Sequence, residues 1–392
     1  MAAVLSIGML TYSTKPRGSV VVAACLAEAL SRTGHDVTLY ALGKSGSGFY
    51  RSVDCRLEVI AAREAPPSME ELIRQRTREF VAGLERLGFS HDIAHAQDCL
   101  SASGLLAARA RGSMPSPLVR TVHHVESFDN PYLAACQTRS ILEVDAAFSV
   151  SRMTQQAVLD KFARPTALVH NGVDPARFAP QPSARAWAAA KFGIRSGDAL
   201  IVSVGGVEPR KNTRGALQAV ARVYARIPNL SFIIAGDHSI WDHSEYGARF
   251  DADLASFPAE LSARVTRAGT LREGDMTKLY QAADVLLCTS HQEGFGLSVL
   301  EAMAAGVAVV VPGREPFTEY LDERTAVFVD TSSNESVAHG ISSLLLDPRH
   351  REALGAAAKR RALDFSWGRA AEVHRKLYEE VLRSRHKEPS YA

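Results

Sequence analysis

The chain has no pair of cysteines at metal-ligand spacing. Its five cysteines, Cys25, Cys55, Cys99, Cys136 and Cys288, are scattered and odd in number. That argues against a disulfide scaffold and predicts a reduced, cytoplasmic protein. It has no uninterrupted apolar run of the roughly 18 residues that a membrane-spanning helix needs. The opening MAAVLSIGMLTYSTKP has no basic leader and runs straight into a strand pattern, so no signal peptide is expected. Neither charge is in excess: 45 Lys and Arg face 43 Asp and Glu, a net charge of +2, so nothing demands a nucleic-acid partner. No low-complexity tract appears. With 46% hydrophobic and 22% charged residues, the composition is that of a soluble globular protein. At 392 residues the chain is longer than one ordinary domain and suits two.

Hydrophobic patterning divides it into two similar halves. VLSIGML reads as a buried strand, TYSTKPRGS as a loop and VVVAACLAEALSRTG as an apolar helix, with VTLYAL as the next strand. DIAHAQ, LVRTVHH and AAFSVS follow as further strands. The second half repeats the plan with ALIVSVGG, the loop VEPRKNT, the helix RGALQAVARVYARI and the strands LSFIIAGD and RVTRAGTL. Strands alternating with helices predict parallel sheets covered on both faces. The expected fold class is α/β, with two doubly wound domains and a ligand cleft outside the carboxyl ends of their strands. HNGVDP supplies the Gly and Pro of a join. The expected domains are 1–170, 171–365 and a C-terminal helix with a polar tail over 366–392. From Met69 to Leu87 the apolar residues recur near helical spacing opposite Arg74, Arg78, Glu79 and Arg86. This predicts a core-packed surface helix, with peripheral membrane contact the lesser alternative.

The segment SHQEGFGLSVLEAMAAGVAVVVP, Ser290 to Pro312, carries the most chemistry. The strand-like ADVLLCTS precedes it, Glu293 and Glu301 bracket a glycine turn and a helix start, and VAVVVP returns as a strand. Gly294 and Gly296 let the backbone approach a ligand closely. The amides of Phe295, Gly296 and Leu297 then face an anion at a helix start. Two glutamates on one such unit suit a ligand with phosphates and sugar hydroxyls. The loop GGVEPRKNT adds Gly205, Gly206, Arg210 and Lys211, and the lysine can neutralise a diphosphate.

Glu293, seven intervening residues and Glu301, with GFG after the first glutamate, resemble the signature of the retaining, GT-B-fold glycosyltransferases of family 4. NGVDPARF and FSWGRAAEVHRKLYEEVL extend the resemblance over nearly the whole chain. It implies that Glu301 binds the donor ribose and that Glu293 holds the transferred sugar. It implies backbone contact from Thr270 and Leu271 to the base, a sugar contact from His123, and phosphate contacts from Lys211 and the first loop at Gly18. His123, Glu293 and Lys211 are the expected catalytic residues. Two departures stand out: Gly206 occupies the place of the family's usual arginine, with Arg210 able to supply the charge, and Ser19 replaces a second glycine. Arg272, next to Leu271, is either a further donor contact or an exposed charge at a helix start. The implied reaction moves a hexosyl unit from a nucleotide-diphosphate sugar, a UDP- or GDP-hexose as co-substrate, to an acceptor with retention of configuration. No further cofactor and no metal are expected, since no DxD-type aspartate pair is present. The acceptor, whether small molecule, glycan or lipid, stays open.

Other classes remain. A sugar-nucleotide epimerase or hydrolase would use His91, Asp92, His95 and Asp98 as acid and base groups, although these more naturally end a strand. A non-catalytic sugar-nucleotide-binding protein would not need a histidine at the end of LVRTVHH. An NAD dehydrogenase fits least, because GGVEPRKN is not GxGxxG.

Overall fold

The computed structural model describes residues 3–44, 48–114, 116–237 and 243–387, without the side chains of residues 386 and 387. The chain separates into two compact units. One runs to Gly172 and takes up the segment from Trp367, and the other spans Val173–Ser366.

In the first unit β1 (Ser6–Thr11), α1 (Gly18–Arg32), β2 (Asp36–Lys44), β3 (Arg56–Ala62), α2 (Met69–Leu87), β4 (Ile93–Ala96) and α3 (Cys99–Ala110) follow in order. Then come β5 (Leu118–Val122), α4 (Pro131–Leu142), β6 (Ala146–Ser149), α5 (Arg152–Phe162) and β7 (Ala167–Leu168). The seven strands form one sheet in the order β3-β2-β1-β4-β5-β6-β7, all parallel. β4 and β5 are buried throughout, as expected of strands covered on both faces. The α2 helix spans Met69–Leu87; the Ser68 side chain accepts from the Glu71 amide, and Gly88 stops the helix at φ 63°. Its Phe80, Val81 and Leu84 enter a core shared with Leu105 of α3 and Ile60 of β3.

The second unit has α6 (Ala184–Phe192), β8 (Ala199–Val204), α7 (Thr213–Tyr224), β9 (Leu230–Ala235), α8 (Ser244–Ala255), α9 (Ala259–Ser262) and β10 (Val265–Gly269). It continues with α10 (Glu273–Ala282), β11 (Val285–Leu287), α11 (Leu297–Ala305), β12 (Ala308–Pro312), β13 (Val327–Val329), α12 (Asn334–Leu346) and α13 (Pro348–Ala362). Its six-stranded sheet, ordered β10-β9-β8-β11-β12-β13, is also parallel. The last helix, α14 (Trp367–Lys387), belongs to the first unit. It buries Trp367, Ala370, Ala371, His374 and Tyr378, a stripe at helical spacing.

Each sheet reverses its strand order once, between β1 and β4 in the first unit and between β8 and β11 in the second. In open α/β sheets ligands bind outside the carboxyl ends of strands at such a switch point. Those four strands lead into TYSTKPRG, QDC, GGVEPRK and SHQEGFG, which hold most of the candidate residues.

Candidate functional site

In the second unit two loops meet at the switch point. The loop after β8 ends in a one-turn 3-10 segment, Pro209–Lys211, followed by Asn212 in the left-handed region at φ 51°. Thr289, after β11, donates its hydroxyl to the Lys211 carbonyl at 3.0 Å, and the His291 amide donates to the Arg210 carbonyl at 2.8 Å. The two loops are therefore stitched together before any charge is considered. Gly205 has φ 130°, which favours glycine, and a Cβ there would lie 2.4 Å from Lys211 Cε, so a larger residue would displace the lysine side chain.

Lys211 Nζ lies 2.5 Å from Glu293 Oε1, and the Ser290 hydroxyl donates to the same oxygen at 2.7 Å. Arg210 reaches Glu293 Oε2 only at 3.7 Å; it donates instead to Glu208 at 2.8 Å and to the Gln292 carbonyl at 3.1 Å. Burial by itself raises the Glu293 carboxyl. The charges of Lys211 and Arg210, with hydrogen bonds from Lys211 and Ser290, outweigh it and hold Glu293 at about 2. Gly206, where the family resemblance implies an arginine, has φ 75°, which disfavours any side chain there.

Gly294, Phe295 and Gly296 then turn the chain into α11. Gly296 stands at φ 90°, and a Cβ would meet Phe317 Cε1 at 2.5 Å. Phe295 turns its ring into the core, stacked 5.0 Å from Tyr320, and its carbonyl accepts from the Tyr320 hydroxyl at 3.0 Å. Its side chain is thus committed to packing. The turn at Leu297 starts a helix with no acidic residue in its first turn and no side-chain cap, so the amides there keep their pull on an anion.

Glu301, on the second turn of α11, has different neighbours. The Tyr280 hydroxyl of α10 donates to its Oε2 at 2.8 Å. Burial raises the Glu301 carboxyl to about 7, opposed by Tyr280 and Arg177 and reinforced by Glu273. Arg177 and Glu273 form an ion pair beside it. Glu301 therefore lies well above the ordinary carboxylate range, unlike Glu293. Tyr280 and Arg177 were missed by sequence reasoning, because a tyrosine within a helical stripe reads as core. Thr270 follows β10 and is exposed, whereas Leu271 is buried. Arg272 precedes α10 and is 88% exposed, 3.5 Å from Asp275.

In the first unit, His123 directly follows β5 and is half-buried, with Nε2 3.1 Å from Gln97 Oε1. Burial, then His124, Arg120 and His374, push its imidazole down to about 3, so the ring is neutral. Its neighbour His124 is exposed and pairs with Glu126 at 2.9 Å. Among the described residues no group of three His, Cys, Asp or Glu could hold a metal ion. Gly18, expected within the loop, is instead the first residue of α1, and a Cβ there would meet nothing within 4 Å. Of the acid–base alternatives, Asp98 is spent as the cap of α3, where it accepts from the Ser101 amide at 2.7 Å. His91 bonds to Ser6 and Tyr40, and Asp92 accepts from the Ser6 amide at the start of β1.

Two parallel Rossmann-like sheets, each carrying its candidate residues at carboxyl strand ends, define the GT-B class. Comparison with known proteins narrows it further. Residues 16–177 match the model of Glycosyltransferase Family 4, and residues 186–361 match that of Glycosyl transferases group 1. A D-inositol 3-phosphate glycosyltransferase of Saccharomonospora viridis is 31% identical over 74% of this chain and 70% of its own length. Its counterpart in Kineococcus radiotolerans is 28% identical over 82% and 85%. HepE of Anabaena, solved with UDP and glucose, superposes with a TM-score of 0.78 at 18% identity, over 96% of this chain and all (100%) of that one. Sucrose-phosphate synthase of Thermosynechococcus elongatus gives 0.78 at 20% identity, over 96% and 99%. The chain belongs to glycosyltransferase family 4. Among the described residues no helix is long and apolar enough to cross a membrane.

Proposed function

We propose that this glycosyltransferase moves a hexosyl unit from a nucleotide-diphosphate sugar to a hydroxyl acceptor with retention of configuration. The observation that carries this reading is the Lys211–Glu293 pair, 2.5 Å apart, set between the Gly205 loop and the amino end of α11. Lys211 and the amides at Leu297 take the diphosphate. Glu293 keeps a negative charge beside the sugar, where an oxocarbenium-like transition state gains from it. Glu301 accepts from the ribose hydroxyls. His123, a neutral ring at the end of β5, contacts the sugar. Thr270 and Leu271 meet the base through their backbone, and Gly18 leaves open space at the start of α1 for the phosphates.

In the reaction the anomeric carbon loses its bond to the diphosphate oxygen. The acceptor oxygen bonds to the same carbon from the same face, and its proton passes to the departing phosphate oxygen. Lys211, the helix amides and the loop amides carry the charge of the leaving diphosphate, so the reaction needs no further cofactor. The UDP and glucose bound by HepE and the relatives named D-inositol 3-phosphate glycosyltransferases make UDP-hexoses the first donors to test. They make a phosphorylated polyol the first acceptor.

The test is a thermal-stabilisation screen of the full chain with UDP, GDP, ADP and their hexose conjugates, with and without Mg²⁺. A ligand at about 100 times its dissociation constant adds about 2.7 kcal/mol. A shift with one nucleotide, independent of Mg²⁺ and lost in Lys211→Ala and Glu301→Ala, supports the reading. A shift that survives both substitutions overturns the site.

A further inference from the structure

The first unit contains a chain of buried polar groups that the proposed reaction does not use directly. Gln97 follows β4 at the switch point of the sheet, is 0% exposed, and donates its amide N–H to the Leu10 carbonyl at 3.0 Å. Its side-chain Oε1 lies 3.1 Å from His123 Nε2. Its Nε2 lies 3.2 Å from Met9 Sδ and 3.3 Å from His95 Nε2. His95 in turn has Nε2 2.8 Å from the Thr121 hydroxyl and Nδ1 2.6 Å from the Tyr378 hydroxyl of α14.

The donor and acceptor inventory orients this chain. A carboxamide nitrogen only donates and a thioether sulfur only accepts, so the Met9 contact places the Gln97 nitrogen on that side. The oxygen then faces His123 and can only accept. His123 Nε2 must therefore carry the ring proton. On the other side, His95 accepts at Nε2 from Gln97 and Thr121 and donates from Nδ1 to the Tyr378 oxygen.

We propose that Gln97 is a positioning residue that fixes His123 as its Nε2–H tautomer, leaving Nδ1 as the ring's acceptor for a hydroxyl of the transferred sugar. The proposal rests on the reading of His123 as a donor-sugar ligand. A ring free to take either tautomer would present a donor to that hydroxyl part of the time, and a ring free to turn would lose the contact. The groups that bear on the ring's charge are His124 and Arg120 beside it, His374 of α14, and His95 across Gln97. His124, Arg120 and His374 each disfavour a proton on it.

The experiment is ¹⁵N-histidine NMR of the full chain, with His123→Ala used to assign the signal. The wild type should show the Nε2–H tautomer at His123 from pH 6 to 8. Gln97→Leu, which keeps the volume but removes the acceptor, should give a mixture of tautomers. It should also lower kcat/KM for UDP-hexose turnover about tenfold or more, the size of loss seen when a metal-bound histidine loses its outer partner. Gln97→Glu keeps an acceptor and adds charge. It should preserve the Nε2–H tautomer at high pH, raise the pH at which His123 titrates, and shift the acid limb of activity upward. A wild-type Nδ1–H tautomer, or an unchanged tautomer in Gln97→Leu, overturns the proposal. If the tautomers behave as stated but His123→Ala keeps full turnover, the reading of His123 as a sugar ligand is what fails, and the role of Gln97 in the reaction falls with it.

Discussion

Glu293 and Glu301 lie on one strand–loop–helix unit with seven residues between them, yet they carry opposite charge tendencies: about 2 for the first and about 7 for the second. Burial pushes both upward. The difference is made by neighbours. Glu293 has an ammonium at 2.5 Å and a hydroxyl at 2.7 Å, whereas Glu301 has a phenol at 2.8 Å and the charge of a guanidinium that pairs with Glu273. One carboxylate is locked as a charge, and the other is poised to change it. A permanent charge suits stabilisation of a cationic transition state. A titrating one, by linkage, couples ligand binding to pH.

The comparison breaks most sharply at Lys211. Lys211→Ala leaves Glu293 buried with its main counter-charge gone, so its carboxyl should rise and turnover of the donor should fall on the order of 100-fold or more. Steady-state kinetics and ¹³C-carboxyl NMR of the same variant check both halves. Glu293→Ala should show a turnover loss of similar size. The next effect is on stability. Glu293 is depressed in the folded protein, so it stabilises above its ordinary value near 4.5, and that contribution is lost as pH falls from there toward 2. Denaturant midpoints for Glu293→Gln should therefore lose part of the wild type's acid sensitivity.

Glu301 should act with the opposite sign. Its folded value lies above the ordinary 4.5, so its ionisation costs stability progressively as pH rises from 4.5 through 7. Glu301→Gln should flatten that fall, and Tyr280→Phe should steepen it by removing the hydrogen bond that eases ionisation. Unchanged midpoint profiles in both variants would contradict the assigned environment. The smallest effect belongs to Arg210→Ala. At 3.7 Å from Glu293 and held by Glu208, Arg210 should cost less than about tenfold in turnover, as a screened outer charge does.

The sequence was most legible where both faces of an element are buried or one face repeats. The α2 helix could be bounded at Met69 and Leu87 from its stripe. The strands β1, β4, β5, β8 and β12 read as apolar runs because helices cover both sides. The peripheral strands β3, β7 and β13 did not. Arg56–Ala62 is only partly buried and opens on a charge, Ala167–Leu168 has two residues, and Val327–Val329 has three, too few to show a period. In the candidate site, Glu293 and Lys211 could be picked out because each sits in a glycine-marked loop after an apolar strand, and Glu293 also stands at a fixed spacing from Glu301. Their mutual pairing was not, since 82 residues separate them in the chain. Tyr280, Arg177 and Gln97 act through contacts that no local spacing records. Arg177 even lies within NGVDPARF, the phrase that marked the join between the halves.

The most direct test of the account is calorimetric binding of UDP-glucose to wild type and Glu301→Gln from pH 6 to 8. The sugar nucleotide itself does not titrate in this range, because both of its phosphates are already singly ionised diesters. If Glu301 is the ribose ligand in the state assigned to it, wild-type affinity should rise as pH passes through about 7, and the variant should bind more weakly with no such rise. Equal affinities with the same pH slope in both proteins would contradict the assignment of Glu301 and, with it, the contrast between the two carboxylates in donor binding.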